Sequence, residues 1–216
     1  MREVLWKEEV QLEMGQGLTE NFWRKLHSLS GIIPVGIFLT FHLFLNYSAT
    51  WGEEAYNVAA GFMEHLPFKL FLEAFVIFIP LIFHAVYGVF IALKSKNNVN
   101  RYGFYRNWSF FFQRLTGFLA FAFVIWHVWQ TRVQVAMGAS ADFNMMAEIV
   151  ANPMYLVFYI VGIVSAVYHF TNGLWTFLIT WGITVSPKSQ KITQYISIGA
   201  FLVLSFIGVR AILAFM

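Results

Sequence analysis

Five stretches of this 216-residue chain, roughly 29–50, 68–93, 109–131, 154–181 and 193–215, are apolar over the length needed to cross a bilayer. About 20 apolar residues suffice to span the hydrocarbon layer as a helix. In hydrocarbon every backbone N–H and C=O must be paired within the protein, which leaves helices and closed barrels as the only solutions. The five runs are continuously apolar and lack the two-residue alternation of a barrel strand, which excludes a barrel. The expected fold is an all-α integral membrane protein with five transmembrane helices. Composition agrees, since only 12% of the residues are charged, against about 25% in an ordinary soluble domain.

Lys and Arg in short loops mark the cytoplasmic side of a membrane protein. The N-terminal tail holds Arg2, Lys7, Arg24 and Lys25, the second loop Lys94, Lys96, Arg101 and Arg106, and the fourth Lys188 and Lys191. The first loop (51–67) has none, and the third (132–153) has only Arg132. The N-terminus is therefore expected in the cytoplasm and the C-terminus outside. Residues 1–26 are mixed in charge, lack the apolar centre of a signal peptide, and read as a cytoplasmic tail ahead of a membrane domain over 27–216. Trp23, Trp51, Trp108 and Trp181 fall near the expected interfaces, where an aromatic belt belongs. The modest net charge of +3 gives no reason to expect a nucleic-acid partner.

Four of the apolar segments each contain one histidine: His42, His84, His127 and His169. An ionisable side chain inside a bilayer is costly and marks function. Counted at 1.5 Å per residue, His42 lies ~10 Å and His127 ~6 Å from the outer ends of their helices. His84 lies ~14 Å from the cytoplasmic end of its helix by the same rise, and His169 is near mid-depth. Matching depths pairs His42 with His127 on the outer side and His84 with His169 on the inner side. Two facing histidines are the axial set of a six-coordinate haem, so two pairs point to two haems in a four-helix bundle, with the fifth helix peripheral. Core histidines bonded across helices are the bland reading of one such residue, but four at two matching depths favour haem. Zinc fits less well, because no acid or cysteine accompanies the histidines in the bilayer at ligand spacing. The chain has no cysteine, which excludes disulfides and cysteine-held iron–sulfur clusters here.

Small residues (Gly31, Gly36, Gly88, Gly117, Gly162 and Gly173) give room for a flat macrocycle and equally for close helix approach. His65 reads as a solvated loop residue. Arg24, His27 and Ser28, at the start of the first helix, and Arg114, about one turn into the third, are candidates to hold haem propionates. A lone cation beside hydrocarbon wants an anion, although Arg114 could equally snorkel to the interface.

The motifs then form a family pattern. His27-Ser28-Leu29, Ile33-Pro34-Val35-Gly36-Ile37-Phe38, His42-Leu43 and Phe83-His84-Ala85-Val86-Tyr87-Gly88 resemble the cytochrome b subunits of succinate dehydrogenase. So do Gln113-Arg114-Leu115-Thr116-Gly117, Trp126-His127-Val128-Trp129 and His169-Phe170-Thr171-Asn172-Gly173-Leu174-Trp175. The likeness is to the Bacillus-type b-558 anchor and runs from about Asn21 to Met216, with residues 1–20 as an extension. It implies two b haems, with His42, His84, His127 and His169 as the iron ligands. It also implies a bacterial cell membrane, partner flavoprotein and iron–sulfur subunits, succinate as donor and menaquinone as acceptor. A di-haem cytochrome b of another respiratory dehydrogenase and a haem-free anchor or transporter are the alternatives.

Glu73 precedes His84 by eleven residues, which at ~100° per residue returns it to within ~20° of the same helix face. It is expected ~16 Å further out, near the level of the outer haem. A carboxylate there can exchange the protons that accompany quinone reduction, with Asn46 or Tyr47 as polar neighbours. Pairing with Lys69 four residues earlier is its structural alternative.

Overall fold

The computed structural model describes residues 17–216, which form seven helices and no strand. Helix α1 covers Gly17–Trp51, α2 Glu53–Glu64, α3 Lys69–Lys94, α4 Tyr105–Ala136, α5 Phe143–Val150, α6 Pro153–Thr180 and α7 Pro187–Leu213. Five of them, α1, α3, α4, α6 and α7, are long and apolar enough to cross a membrane, as the apolar runs require. Helix α1 begins well before its apolar run, so the later part of the expected tail continues the helix. Arg2 and Lys7 lie outside the described residues.

Local sequence explains where these helices start and where they deform. Asn152 caps Met154 N at 2.9 Å ahead of Pro153, and Ser186 forms a reciprocal capping box with Ser189 ahead of Pro187. Proline suits a first-turn position, whose N–H has no partner within the helix. Pro34 sits inside a π-helical stretch, Gly31–Gly36, and Pro80 follows another at Leu72–Phe78. A proline in a helix interior removes one bond of the ladder, and in α1 and α3 the chain widens beside it instead of breaking. Gly52, at φ 104°, supplies the left-handed turn between α1 and α2.

Helix α6 is the centre of the packing, lying along both α4 and α7, while α7 also packs on α1. The fifth spanning helix carries no candidate ligand, as expected, but it is firmly attached. Leu204, Ile207, Gly208, Ala211 and Ile212 are buried, with Leu204 and Ile207 meeting Leu43 and Val167. Helix α3 is the least enclosed of the five, with no fully buried residue.

One end of the bundle carries most of the basic residues, including Arg24, Lys25, Lys94, Lys96, Arg101, Arg106, Lys188 and Lys191, and is called here the basic end. The far end is closed by α2 and α5. Tyr56, Ala60, Met146 and Val150 from these helices join Ala49, Phe123, Tyr159, Ile212 and Phe215 in one core. The backbone N–H of Phe143 donates to Asn57 Oδ1 at 2.8 Å, tying α5 to α2.

Close approach of α6 and α7 depends on Gly208, where an added Cβ would lie 2.6 Å from Ile163 Cγ2 and 3.1 Å from Leu43 Cδ2. Gly208→Leu should therefore overpack the seam and cost about 1–3 kcal/mol. A lowered unfolding temperature of the detergent-solubilised protein checks this, and an unchanged one would place the α6–α7 contact elsewhere.

Candidate functional site

The four spanning-segment histidines meet in two pairs, each across two helices. His42 on α1 faces His127 on α4, with ring centroids 5.8 Å apart and planes at 70°. His84 on α3 faces His169 on α6, at 6.0 Å and 85°. Along α4, Gly117 abuts His169 and His127 follows ten residues later, so the pairs are separated by ~15 Å along the bundle. Among the described residues no group of three or more His, Cys, Asp or Glu converges to hold a metal ion. The four histidines of the spanning segments thus stand as two separate pairs.

Hydrogen bonds fix the rings of the pair nearer the basic end. His84 Nδ1 lies 2.9 Å from the carbonyl of His27, and His169 Nδ1 lies 2.9 Å from the carbonyl of Gln113. A carbonyl only accepts, so each Nδ1 carries the ring proton and each Nε2 is left with its lone pair. Gln113 Nε2 donates back to the His169 carbonyl at 3.0 Å, and Asn172 Nδ2 donates to Gln113 Oε1 at 2.7 Å. His127 in the far pair has Nδ1 at 3.3 Å from the Tyr159 hydroxyl. Its ring also stacks on Phe123, with centroids 5.5 Å apart. For His42, no hydrogen bond of a ring nitrogen is found among the described residues, and Phe38 packs beside it at 5.4 Å.

Glycines make these approaches possible. A Cβ at Gly31 would collide with the His84 ring, and one at Gly117 would lie 3.0 Å from His169 Cε1. Gly162 gives its space to Phe123, Gly36 to Phe170 and Gly88 to His27. In this structure, these glycines admit aromatic and imidazole rings.

The fit to a bis-histidine iron can be tested on distance. Two metal–nitrogen bonds of about 2 Å, plus roughly 1 Å from nitrogen to ring centre on each side, place two coaxial imidazole centroids ~6 Å apart. Both pairs meet that value. By contrast, His27 and His84 stack face to face at 4.1 Å and 7°, an arrangement with no room for an atom between the rings.

The four candidate anion-holding residues do not share one arrangement. Arg24 forks onto Glu20 at 3.0 and 2.8 Å on the exposed start of α1. Ser28 Oγ donates to the Lys25 carbonyl at 3.1 Å and accepts from Trp181 Nε1 at 3.0 Å. Arg114 donates through Nη1 to the Ser95 carbonyl at 3.0 Å and lies over the Phe110 ring. Its Nη2 and His27 Nε2 are buried without a hydrogen-bond partner. Of the four residues, His27 and Arg114 thus hold buried polar atoms without a partner.

Glu73 sits at the far end in a cross-helix ion pair. Arg132 Nε and Nη2 donate to its two carboxylate oxygens at 2.9 and 2.7 Å. Lys69 is 3.8 Å away and also pairs with Glu64 at 2.5 Å. Helical phase could not supply Arg132 as a partner, because it lies on another helix. Its only signal in the sequence is its isolation in an otherwise cation-free loop. The phase argument also assumes 3.6 residues per turn, whereas Glu73 lies in the π stretch Leu72–Phe78 and Arg132 in another at Trp129–Val133. Arg132 follows His127 by five residues, which puts the ion pair ~7 Å beyond the histidine, rather than level with it. Asn46 Nδ2 donates to the His42 carbonyl at 2.7 Å, and Tyr47 packs on Trp51. His65 is exposed, its Nδ1 2.7 Å from the Gly61 carbonyl.

A membrane bundle with imidazoles paired across helices defines a class of redox anchor, and sequence comparison places the chain within it. Residues 94–208 match the succinate dehydrogenase/fumarate reductase transmembrane subunit family. The chain is also 54% identical over 199 residues to the succinate dehydrogenase cytochrome b558 subunit of Bacillus subtilis (strain 168), covering 92% of this chain and 98% of that protein. The chain belongs to the succinate dehydrogenase/fumarate reductase transmembrane subunit family. This sets aside the readings as a cytochrome b of another respiratory dehydrogenase and as a transporter.

The Glu73–Arg132 bridge is bidentate and partly shielded, with 17% and 29% of the respective side chains exposed. In a double-mutant cycle of Glu73→Gln and Arg132→Gln, a coupling of about 0.5–3 kcal/mol is expected in the thermal stability of the solubilised chain. Strict additivity would show that the pair contributes nothing to the join between α3 and α4.

Proposed function

We propose that this chain is the two-haem membrane anchor of a succinate:menaquinone oxidoreductase. The observation that carries the reading is the pair of histidine couples, each at the ring separation a bis-imidazole iron needs. His42 and His127 would hold one b haem, and His84 and His169 the other. When bound, such a group supplies a one-electron redox centre whose potential follows its ligands and surroundings.

The chain's own contribution is placement. The carbonyls of His27 and Gln113 hold His84 and His169 in the tautomer that presents Nε2. His27 and Arg114 offer unpartnered polar atoms to carboxylates of the haem nearer the basic end. The apolar walls exclude water, which strengthens such charge pairings by lowering the local dielectric.

The basic end is assigned to the cytoplasm, in accord with the bias of Lys and Arg in short loops. Flavoprotein and iron–sulfur subunits would dock there, on the α3–α4 and α6–α7 connections. Succinate chemistry belongs to those partners. Menaquinone is placed at the far end, where Glu73 and Arg132 bring the polar groups that a quinone ring requires. Arg132 orients the carboxylate, and proton exchange at Glu73 requires one of its two hydrogen bonds from Arg132 to open.

Redox-titrated spectra of the complex, co-purified with its flavin subunit, test the haem assignment. His42→Leu and His127→Leu should remove one b component, and His84→Leu and His169→Leu the other. Loss of the same component in His42→Leu and His84→Leu would overturn the pairing. For the quinone site, Glu73→Gln is expected to cut menaquinone reduction at least tenfold while leaving both b components reducible by succinate. Wild-type turnover in that variant would remove Glu73 from the site.

A further inference from the structure

The two histidine pairs differ in what their Nδ1 atoms meet. In the pair nearer the basic end each Nδ1 lies 2.9 Å from a main-chain carbonyl, which no side-chain substitution removes, and His169 Nδ1 has the Gln113 amide nitrogen at 3.3 Å besides. In the far pair the partner found among the described residues is one hydroxyl, that of Tyr159, 3.3 Å from His127 Nδ1. Tyr159 is 2% exposed and sits edge-on to both His127 and Phe123. Phe123 is itself stacked on His127 and seated over Gly162, one turn along α6 from Tyr159. Tyr159 and Phe123 therefore restrict the His127 ring from two sides, and the Tyr159 hydroxyl is its polar contact.

We propose that Tyr159 is the positioning residue for His127 and, through that ligand, a determinant of the redox potential at the far pair. The inference rests on His127 binding haem iron through Nε2. In that state Nδ1 carries the ring proton and donates it to Tyr159 Oη. A hydrogen bond accepted from Nδ1–H increases the basicity of the imidazole toward the metal. A more electron-donating ligand favours the ferric state, so the hydroxyl holds the potential of this centre down. Tyr159 acts through His127 and makes no contact with quinone or metal in this argument.

Tyr159→Phe tests this in the intact complex, since it removes one oxygen and retains the buried ring. The expected result is a positive shift in the midpoint potential of the component lost in His127→Leu, with the other component unmoved. A change in the low-temperature electron paramagnetic resonance signal of the same component should accompany it, because the ring orientation is released. Tyr159→Leu should give a shift of the same sign plus partial loss of that component, since the aromatic wall is also gone. If Tyr159→Phe leaves both potentials and both signals at their wild-type values, the positioning role is refuted while the two-haem reading stands. A pyridine haemochrome assay that finds no haem in the wild-type complex would refute both.

Discussion

Hydrocarbon offers no water to a polar group, and every imidazole in this bundle is placed under that constraint. A buried hydrogen-bonding atom left without a partner costs roughly 1–3 kcal/mol. For His84 and His169 one ring nitrogen is satisfied by a main-chain carbonyl of a neighbouring helix, and satisfying it settles which nitrogen keeps its lone pair. Helix packing and tautomer are thus consequences of the same contacts. The glycines at positions 31 and 117 let α1 and α4 come close enough for those contacts to form.

Helix number and the pairing of histidines across helices were legible in the sequence because both depend on length and depth. Apolar runs report span length, and the 1.5 Å rise converts residue number into depth. Contacts made by side chains across helices were not legible. Gln113 and Asn172 form the clasp around His169 from positions 59 residues apart, and Arg132 reaches Glu73 over the same separation. Tyr159 reads as one more aromatic residue in an apolar run until α4 is laid beside α6. The extent of α1 was missed for a different reason: Gly17–Leu26 is polar enough to look like a tail, while remaining compatible with a helix that emerges from the bilayer.

The distribution of charge divides the molecule by task. Basic side chains gather at one end, Arg106 among them reaching from α4 to Gln190 on α7, while Arg114 reaches from α4 to the Ser95 carbonyl and the Arg132–Glu73 pair joins α4 to α3 at the far end. Arg114 has an unpartnered Nη2, whereas Arg132 and Glu73 satisfy each other. The first suits an acidic group brought by a cofactor, while the second makes a closed polar contact at the far end. On the function proposed above, subunit docking, cofactor retention and quinone access would fall at separate depths, with no charged residue asked to serve two of them.

The π-helical stretches in α3 and α4 have a consequence for how such chains change length. A π turn places one residue more in the turn than an α-helix does. Deleting one residue within Leu72–Phe78 can be absorbed by relaxing that turn to ordinary helix, leaving Pro80 and His84 in register. The same holds for Trp129–Val133, which follows His127. A single-residue deletion is therefore absorbed on the far side of His84 and of His127, where it re-aims Glu73 or Arg132. In α3, α4 and α6 the stretch between the paired histidine and the basic end has no π turn, so a deletion there would rotate the histidine out of its pair, whereas α1 has the Gly31–Gly36 π stretch on that side of His42.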